Sequence, residues 1–114
     1  IIEKHHRYKK DSPSGTAKML VEAAKSGRSE ESPVLEGRSG HYDERVKNEI
    51  GVMAVRGGTI VGEHTVLFAG EDEVIEIKHS AQSKKVFANG ALTAAEFLAE
   101  QAPGFYDMND VGGE

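Results

Sequence analysis

Apolar residues recur along this chain with two different periods, and those periods divide it into strands and helices. Ile1 and Ile2 begin a β-branched run, so Ile1–Lys9 reads as the end of a strand. Asp11-Ser12-Pro13-Ser14-Gly15-Thr16 then combines turn residues with helix-start residues. Ala17, Leu20, Val21 and Ala24 follow at i, i+3, i+4 and i+7, which predicts a helix that stops at Gly27, with Pro13 in its first turn. Residues 26–49 hold few apolar positions and many turn formers, and read as one long connection. Three strand signals come next. Val52–Val55 is apolar, Gly57-Gly58 marks a tight turn, and Thr59–Ala69 is a second strand bending at Gly62. After a turn at Gly70-Glu71-Asp72, Glu73–His79 alternates, with Ile75 and Ile77 opposed to Glu76 and Lys78. This series predicts a meander with one buried face. A last helix is expected from Ser83, as N-cap, to about Gln101, its stripe formed by Phe87, Ala91, Ala94 and Leu98. Gly90 inside that helix suggests a close backbone approach, since Gly costs about 1 kcal/mol there against Ala.

The expected fold class is therefore α+β: a mixed sheet of about four strands with two main helices on one face. The first strand is followed by a helix and a long loop, so it can lie parallel to a neighbour. Two helices cannot cover both faces of such a sheet. The other face is expected to meet solvent or another subunit.

Length and composition bound the rest. The chain has 114 residues, enough for one domain and one core, and is 38% hydrophobic and 29% charged. It has no cysteine, which removes disulfides, thiolate metal sites and a thiolate nucleophile, and which is compatible with a cytoplasmic location. Apolar runs such as Val66–Ala69 are too short to span a bilayer, so no membrane partner is expected. Position one is Ile within a strand-like run, and the chain reads as part of something longer.

Charge changes the picture more. The net charge is −5, yet residues 1–10 carry Lys4, Arg7, Lys9 and Lys10 against Glu3 alone, a local +3 that leaves −8 for the remainder. A basic island on an acidic chain argues against nucleic acid, which wants a broad basic surface. It suits a small anion held at one place.

Within the island, strand alternation puts His5, Arg7 and Lys9 on one face and His6 on the other. His5 with Lys9 is a pair of ionisable donors suited to delivering protons. On spacing alone, a charged strand end facing solvent is the commoner explanation. Ser14, Gly15 and Thr16 open the first helix, where free N–H groups form a ready anion site and Gly15 admits close approach. Ordinary N-capping needs only one of those hydroxyls. The nearness of the two features favours a carboxylate ligand. Metal binding is not expected, because adjacent histidines diverge on a strand and His41, His64 and His79 lack ligand spacing. Arg56, beside the Gly57-Gly58 turn, is a candidate for reaching a ligand. Glu63-His64 reads as a structural polar pair of the sheet.

The segment from Glu3 through Ala17, E-K-H-H-R-Y-K-K-D-S-P-S-G-T-A, closely resembles the signature of dihydrodipicolinate reductase. The likeness continues through Asn48-Glu49-Ile50-Gly51, Val55-Arg56-Gly57-Gly58, Ile60 to Val66, Phe68-Ala69-Gly70, Ala88 with Gly90-Ala91-Leu92, and Tyr106-Asp107-Met108. It implies that residues 1–114 are the C-terminal substrate-binding and tetramerisation domain, with the N-terminal dinucleotide-binding domain absent from this chain. It further implies reduction of 4-hydroxy-tetrahydrodipicolinate to tetrahydrodipicolinate by NADH or NADPH, in diaminopimelate and lysine biosynthesis. His5 is implied as proton donor or acceptor, Lys9 as a second proton donor, and His6 as a substrate contact. Ser14 and the N–H groups of Gly15 and Thr16 would hold a carboxylate of an anionic dicarboxylate, and Arg56 would touch the cofactor. A homotetramer through the sheet face is implied as well. The alternative is a self-assembling sheet module, or a dicarboxylate-binding domain, without activity in isolation. Two departures stand out. No G-x-x-G-x-x-G loop is present, so the dinucleotide is not expected to be fully bound by this chain. Asp110-Val111 is followed by Gly112-Gly113-Glu114 where the family stays apolar, which bears on how the tail packs.

Overall fold

A computed structural model of the chain describes residues 1–112. Its elements are β1 (Ile2–His5), α1 (Gly15–Ser26), β2 (Val34–Glu36), β3 (Ile50–Arg56), β4 (Gly62–Gly70), β5 (Glu73–Ala81), α2 (Lys85–Ala99) and α3 (Met108–Gly112). The fold is α+β with a mixed sheet, as the patterning predicts. The chain divides into two units, Ile1–Ser80 and Ala81–Glu114.

In the first unit the strand order is β2-β3-β1-β4-β5. The short first strand is thus the centre of the sheet. It pairs parallel with β3, Glu3 beside Ala54 and His5 beside Arg56. On its other side it pairs antiparallel with β4, Glu3 beside His64 and Lys4 beside Glu63. The expected meander is therefore wrong at one point, because β3 and β4 are not neighbours. Gly57-Gly58 does not close a hairpin between them. Instead the Gly57 N–H donates to the His5 carbonyl (3.1 Å) and the Gly58 carbonyl accepts from the Arg7 N–H (3.2 Å), so the chain crosses the end of β1. Gly58 sits at φ +52°, in the left-handed region that favours glycine. The link between β4 and β5 is the two-residue turn Glu71-Asp72.

Two further corrections concern the sheet. It has five strands rather than four, because Val34–Glu36, inside the supposed long connection, pairs parallel with β3. Three residues with two apolar side chains carry no readable period; the partner strand supplies their order. And β1 ends at His5, so Arg7 and Lys9 do not extend a strand face: Arg7-Tyr8 is a turn.

α1 lies on one face of the sheet, its Ala17 and Val21 packed on Ile50 and Val52, with Ile1 and Ala24 at the margin. Its N-cap is Ser14, whose Oγ accepts from the Ala17 N–H (3.1 Å). Pro13 precedes this cap and is not in the first helical turn. The register turns Glu3 toward the same face as Val52, while Ile2, Val55 and Leu67 share the opposite face, each more than a third exposed. On the edge strand β5, Ile75 and Ile77 are also exposed rather than lining a buried face.

The second unit holds α2 and α3. Ser83 is not the cap residue, which is Lys84, but its Oγ still accepts from the Lys85 N–H (3.0 Å). Phe97 meets Tyr106 edge-on at 5.7 Å, and the Tyr106 hydroxyl donates to the Ala102 carbonyl. α3, unread in the sequence, is closed by Asp107 and Asp110, each carboxylate accepting the other's backbone N–H. A Cβ at Gly90 would meet nothing within 4 Å, so the close approach inferred for it is not found. Gly113 and Glu114, on which the tail departure partly rests, lie outside the described residues.

Candidate functional site

The most completely buried large side chain is a carboxylate, that of Glu3, with no solvent exposure. A buried charge needs partners. Glu3 obtains them from three residues because β1 is central. Arg56, on the parallel neighbour β3 opposite His5, places both Nη1 and Nη2 on the carboxylate. The Ser14 N–H, just before α1, donates to Oε2 at 2.6 Å. His5, two residues along the same strand face, brings Nδ1 to 3.3 Å from Oε1. Burial is the largest single influence and raises the Glu3 carboxyl. The hydrogen bonds from Arg56, Ser14 and His5 together outweigh it and hold the group at about 2. The same pairing raises Arg56. Glu3 is ionised at neutral pH.

From this anchor the other candidates can be placed. Arg56 also donates to the Asp11 carbonyl (2.9 Å), and the Asp11 carboxylate receives Lys9 Nζ (2.9 Å). That contact with Lys9 is the main cause of a lowered Asp11 carboxyl. Ser14 is buried, and its Oγ lies 3.0 Å from His64 Nε2 while capping α1. His64 in turn faces His5 edge-on, ring centres 5.1 Å apart. Burial, and next the neighbouring His5, push the His64 imidazole down. One connected set thus runs Lys9, Asp11, Arg56, Glu3, then His5 and Ser14, then His64.

Gly15 and Thr16 are exposed at the start of α1, and their N–H groups make no hydrogen bond among the described residues. A Cβ on Gly15 would stand in open space. Packing within the chain does not require glycine there, and its absent side chain leaves the backbone open to close approach. Free N–H groups at the positive end of a helix favour an anion. His6 stands apart from the network. Its Nδ1 accepts the Tyr8 N–H (3.1 Å) and so closes the turn after β1. Arg7 is spent on the Gly58 carbonyl and on the Tyr8 ring, 4.5 Å away. Both Nη groups of Arg56 are bonded to Glu3, Asp11 or the Val55 carbonyl, while its buried Nε has no partner among the described residues.

Sequence reasoning gave Glu3 no role and read His64 as merely structural. For Glu3 a signal existed: strand alternation counted backward from His5 reaches it at once. For His64 no local pattern carried the message, because its neighbours Ser14 and His5 come from 50 and 59 residues away. Gly62 belongs here too. A Cβ on it would come within 3.3 Å of His5 Nε2.

Together these groups can hold a carboxylate at the start of α1 and present an imidazole and an ammonium as proton carriers beside it.

Comparison with known proteins adds to this geometry. The family model described as dihydrodipicolinate reductase, C-terminus, matches residues 1–111. The 4-hydroxy-tetrahydrodipicolinate reductase of Caldanaerobacter subterraneus subsp. tengcongensis is 56% identical over 111 residues, covering 97% of this chain and 44% of that protein. That of Methanocaldococcus jannaschii is 50% identical over 113 residues, covering 99% and 41%. The chain thus spans less than half the length of these relatives. Among solved structures, a dipicolinate-bound dihydrodipicolinate reductase from Paenisporosarcina sp. TG-14 shares the fold with TM-score 0.71 at 23% identity, covering 96% of this chain and 42% of that one.

Proposed function

This chain belongs to the dihydrodipicolinate reductase C-terminal family, and from that premise we propose that it is the substrate-binding and catalytic domain of 4-hydroxy-tetrahydrodipicolinate reductase. The reaction is reduction of 4-hydroxy-tetrahydrodipicolinate to tetrahydrodipicolinate, in diaminopimelate and lysine biosynthesis. One observation carries the reading: the start of α1, where the Gly15 and Thr16 N–H groups are unpaired among the described residues, is tied through the Ser14 N–H and a single buried carboxylate, Glu3, to the imidazole of His5. The proposed anion cradle and proton carrier thus share one hydrogen-bonded anchor, Glu3.

NADH or NADPH supplies the hydride when bound. The sequence has no G-x-x-G-x-x-G loop, and the Arg56 Nη groups bond Glu3, Asp11 and the Val55 carbonyl. Arg56 is the proposed cofactor contact of this chain, and the main nucleotide-binding domain is N-terminal in the full-length protein. Within this chain, the Gly15 and Thr16 N–H groups hold one substrate carboxylate, and Ser14 fixes the helix start that presents them. His5 carries the proton that the departing hydroxyl needs to leave as water, and Lys9 is the second donor. His6, held by the turn at Nδ1, meets the substrate with the rest of its ring. The dicarboxylate suits the +3 island from which His5, His6 and Lys9 come.

A second copy of the chain is the proposed occupant of the sheet face that exposes Ile2, Val55 and Leu67, within a homotetramer. A cytoplasmic location accords with a soluble cofactor, and no helix among the described residues is long and apolar enough to cross a membrane. The inactive assembly or binding module has less support, since the relatives described above are named as the reductase.

In the full-length protein, H5A and K9A should each lower kcat by about 100-fold or more, the usual contribution of a positioned acid or base. Pyridine-2,6-dicarboxylate should bind competitively and weaken as salt rises. Turnover within a few-fold of wild type in both variants overturns the assignment.

A further inference from the structure

An imidazole has two nitrogens, and only one of them can face a substrate. Glu3 decides which. Its two oxygens meet only donors: Arg56 Nη1 and His5 Nδ1 at Oε1, the Ser14 N–H and Arg56 Nη2 at Oε2. An ionised carboxylate accepts and never donates. His5 Nδ1 must therefore carry a proton whenever it engages Glu3. In the neutral ring the lone pair is then on Nε2, and in the charged ring the transferable proton is there as well. Nε2 is also the nitrogen kept accessible by Gly62, since any side chain at that position would reach within 3.3 Å of it. Arg56 and the Ser14 N–H grip the carboxylate from outside, so its orientation does not depend on His5.

We propose that Glu3 is a positioning residue, clamped by Arg56 and Ser14, that locks His5 in the Nδ1–H tautomer and so makes Nε2 the nitrogen that exchanges protons with substrate. This rests on the role of His5 proposed above. It assigns to a residue that touches no substrate the choice of tautomer, the protonation geometry and part of the rate.

The test is long-range 15N–1H correlation NMR on the full-length protein labelled at histidine, at a pH where His5 is neutral, alongside steady-state kinetics. Wild type should show His5 protonated at Nδ1. Glu3→Gln presents either an oxygen or an NH2 group to Nδ1 and should lose that preference, with kcat falling about 100-fold and KM changing less than about threefold. A wild-type His5 protonated at Nε2 overturns the inference, and needs no variant to fold. So does E3Q with kcat within threefold of wild type in a protein whose H5A variant is crippled. If E3Q abolishes the Nδ1–H tautomer while H5A keeps full turnover, the positioning stands and the proton-carrier role of His5 falls.

Discussion

Glu3 should make the stability of this chain depend on acid pH through a single buried carboxylate. Its carboxyl is held at about 2 in the folded chain against an ordinary 4.5. At about 1.4 kcal/mol per pH unit, this corresponds to at most about 3.5 kcal/mol of stability. The sign follows from proton counting. Between pH 4.5 and 2 the unfolded chain binds a proton that the folded chain refuses, so stability falls as pH falls through that range. Above about pH 5.5 the contribution is complete. Glu3→Gln keeps the shape and one acceptor but removes the charge facing Arg56, so it should cost about 3 kcal/mol at pH 7. As pH drops toward 2, wild-type Glu3 becomes neutral and the two proteins should converge. Urea unfolding of wild type and E3Q at intervals from pH 7 to pH 2.5, with far-UV circular dichroism and tyrosine fluorescence required to coincide, measures the difference directly. A gap that stays constant across the whole range would refute the reasoning, because it would show that Glu3 stabilises by shape rather than by ionisation.

Two further outcomes separate the site from the fold. Gly62→Ala should leave stability within about 1 kcal/mol, since its backbone is not left-handed and Ala stiffens the unfolded chain. The same change should lower kcat of the full-length protein by about 10-fold or more by pressing on His5 Nε2, and unchanged turnover would count against Nε2 as the working nitrogen. His64, pushed down by burial, stays neutral in the folded chain at pH values where the unfolded chain takes up a proton. Stability should therefore decline as pH falls below the ordinary value of 6.5, a window above that of Glu3. In H64Q that upper part of the decline should vanish from the urea profile, and its persistence would assign it to another group.

How much of this was legible before the fold was known differs from residue to residue. α1 was readable because Ala17, Val21 and Ala24 repeat at the helical period and Ser14 and Gly27 mark its ends, all of it local information. The basic island and the Ser14-Gly15-Thr16 start were readable for the same reason: they are neighbours in the chain. β2 was not, since three residues become a strand only when β3 lies beside them. α3 escaped notice because five residues hold too little of a period. The meander failed because Gly57-Gly58 is a turn signal whichever strand follows. Whether β4 lies next to β3 or across β1 is settled by the pairing of a segment 50 residues upstream.

The amino-acid sequence by itself determined the α+β class, the +3 island, the anion-ready start of α1 and the resemblance that points to a reductase. These depend on periodicity, charge and local hydrogen-bonding capacity, which act over a few residues. Only the tertiary structure decided that β1 runs through the middle of the sheet, and with it that Glu3 is buried between Arg56, Ser14 and His5. A carboxylate in a strand is unremarkable as sequence. Its meaning comes from the low-dielectric centre of a sheet, where a charge survives only if distant residues are brought to meet it.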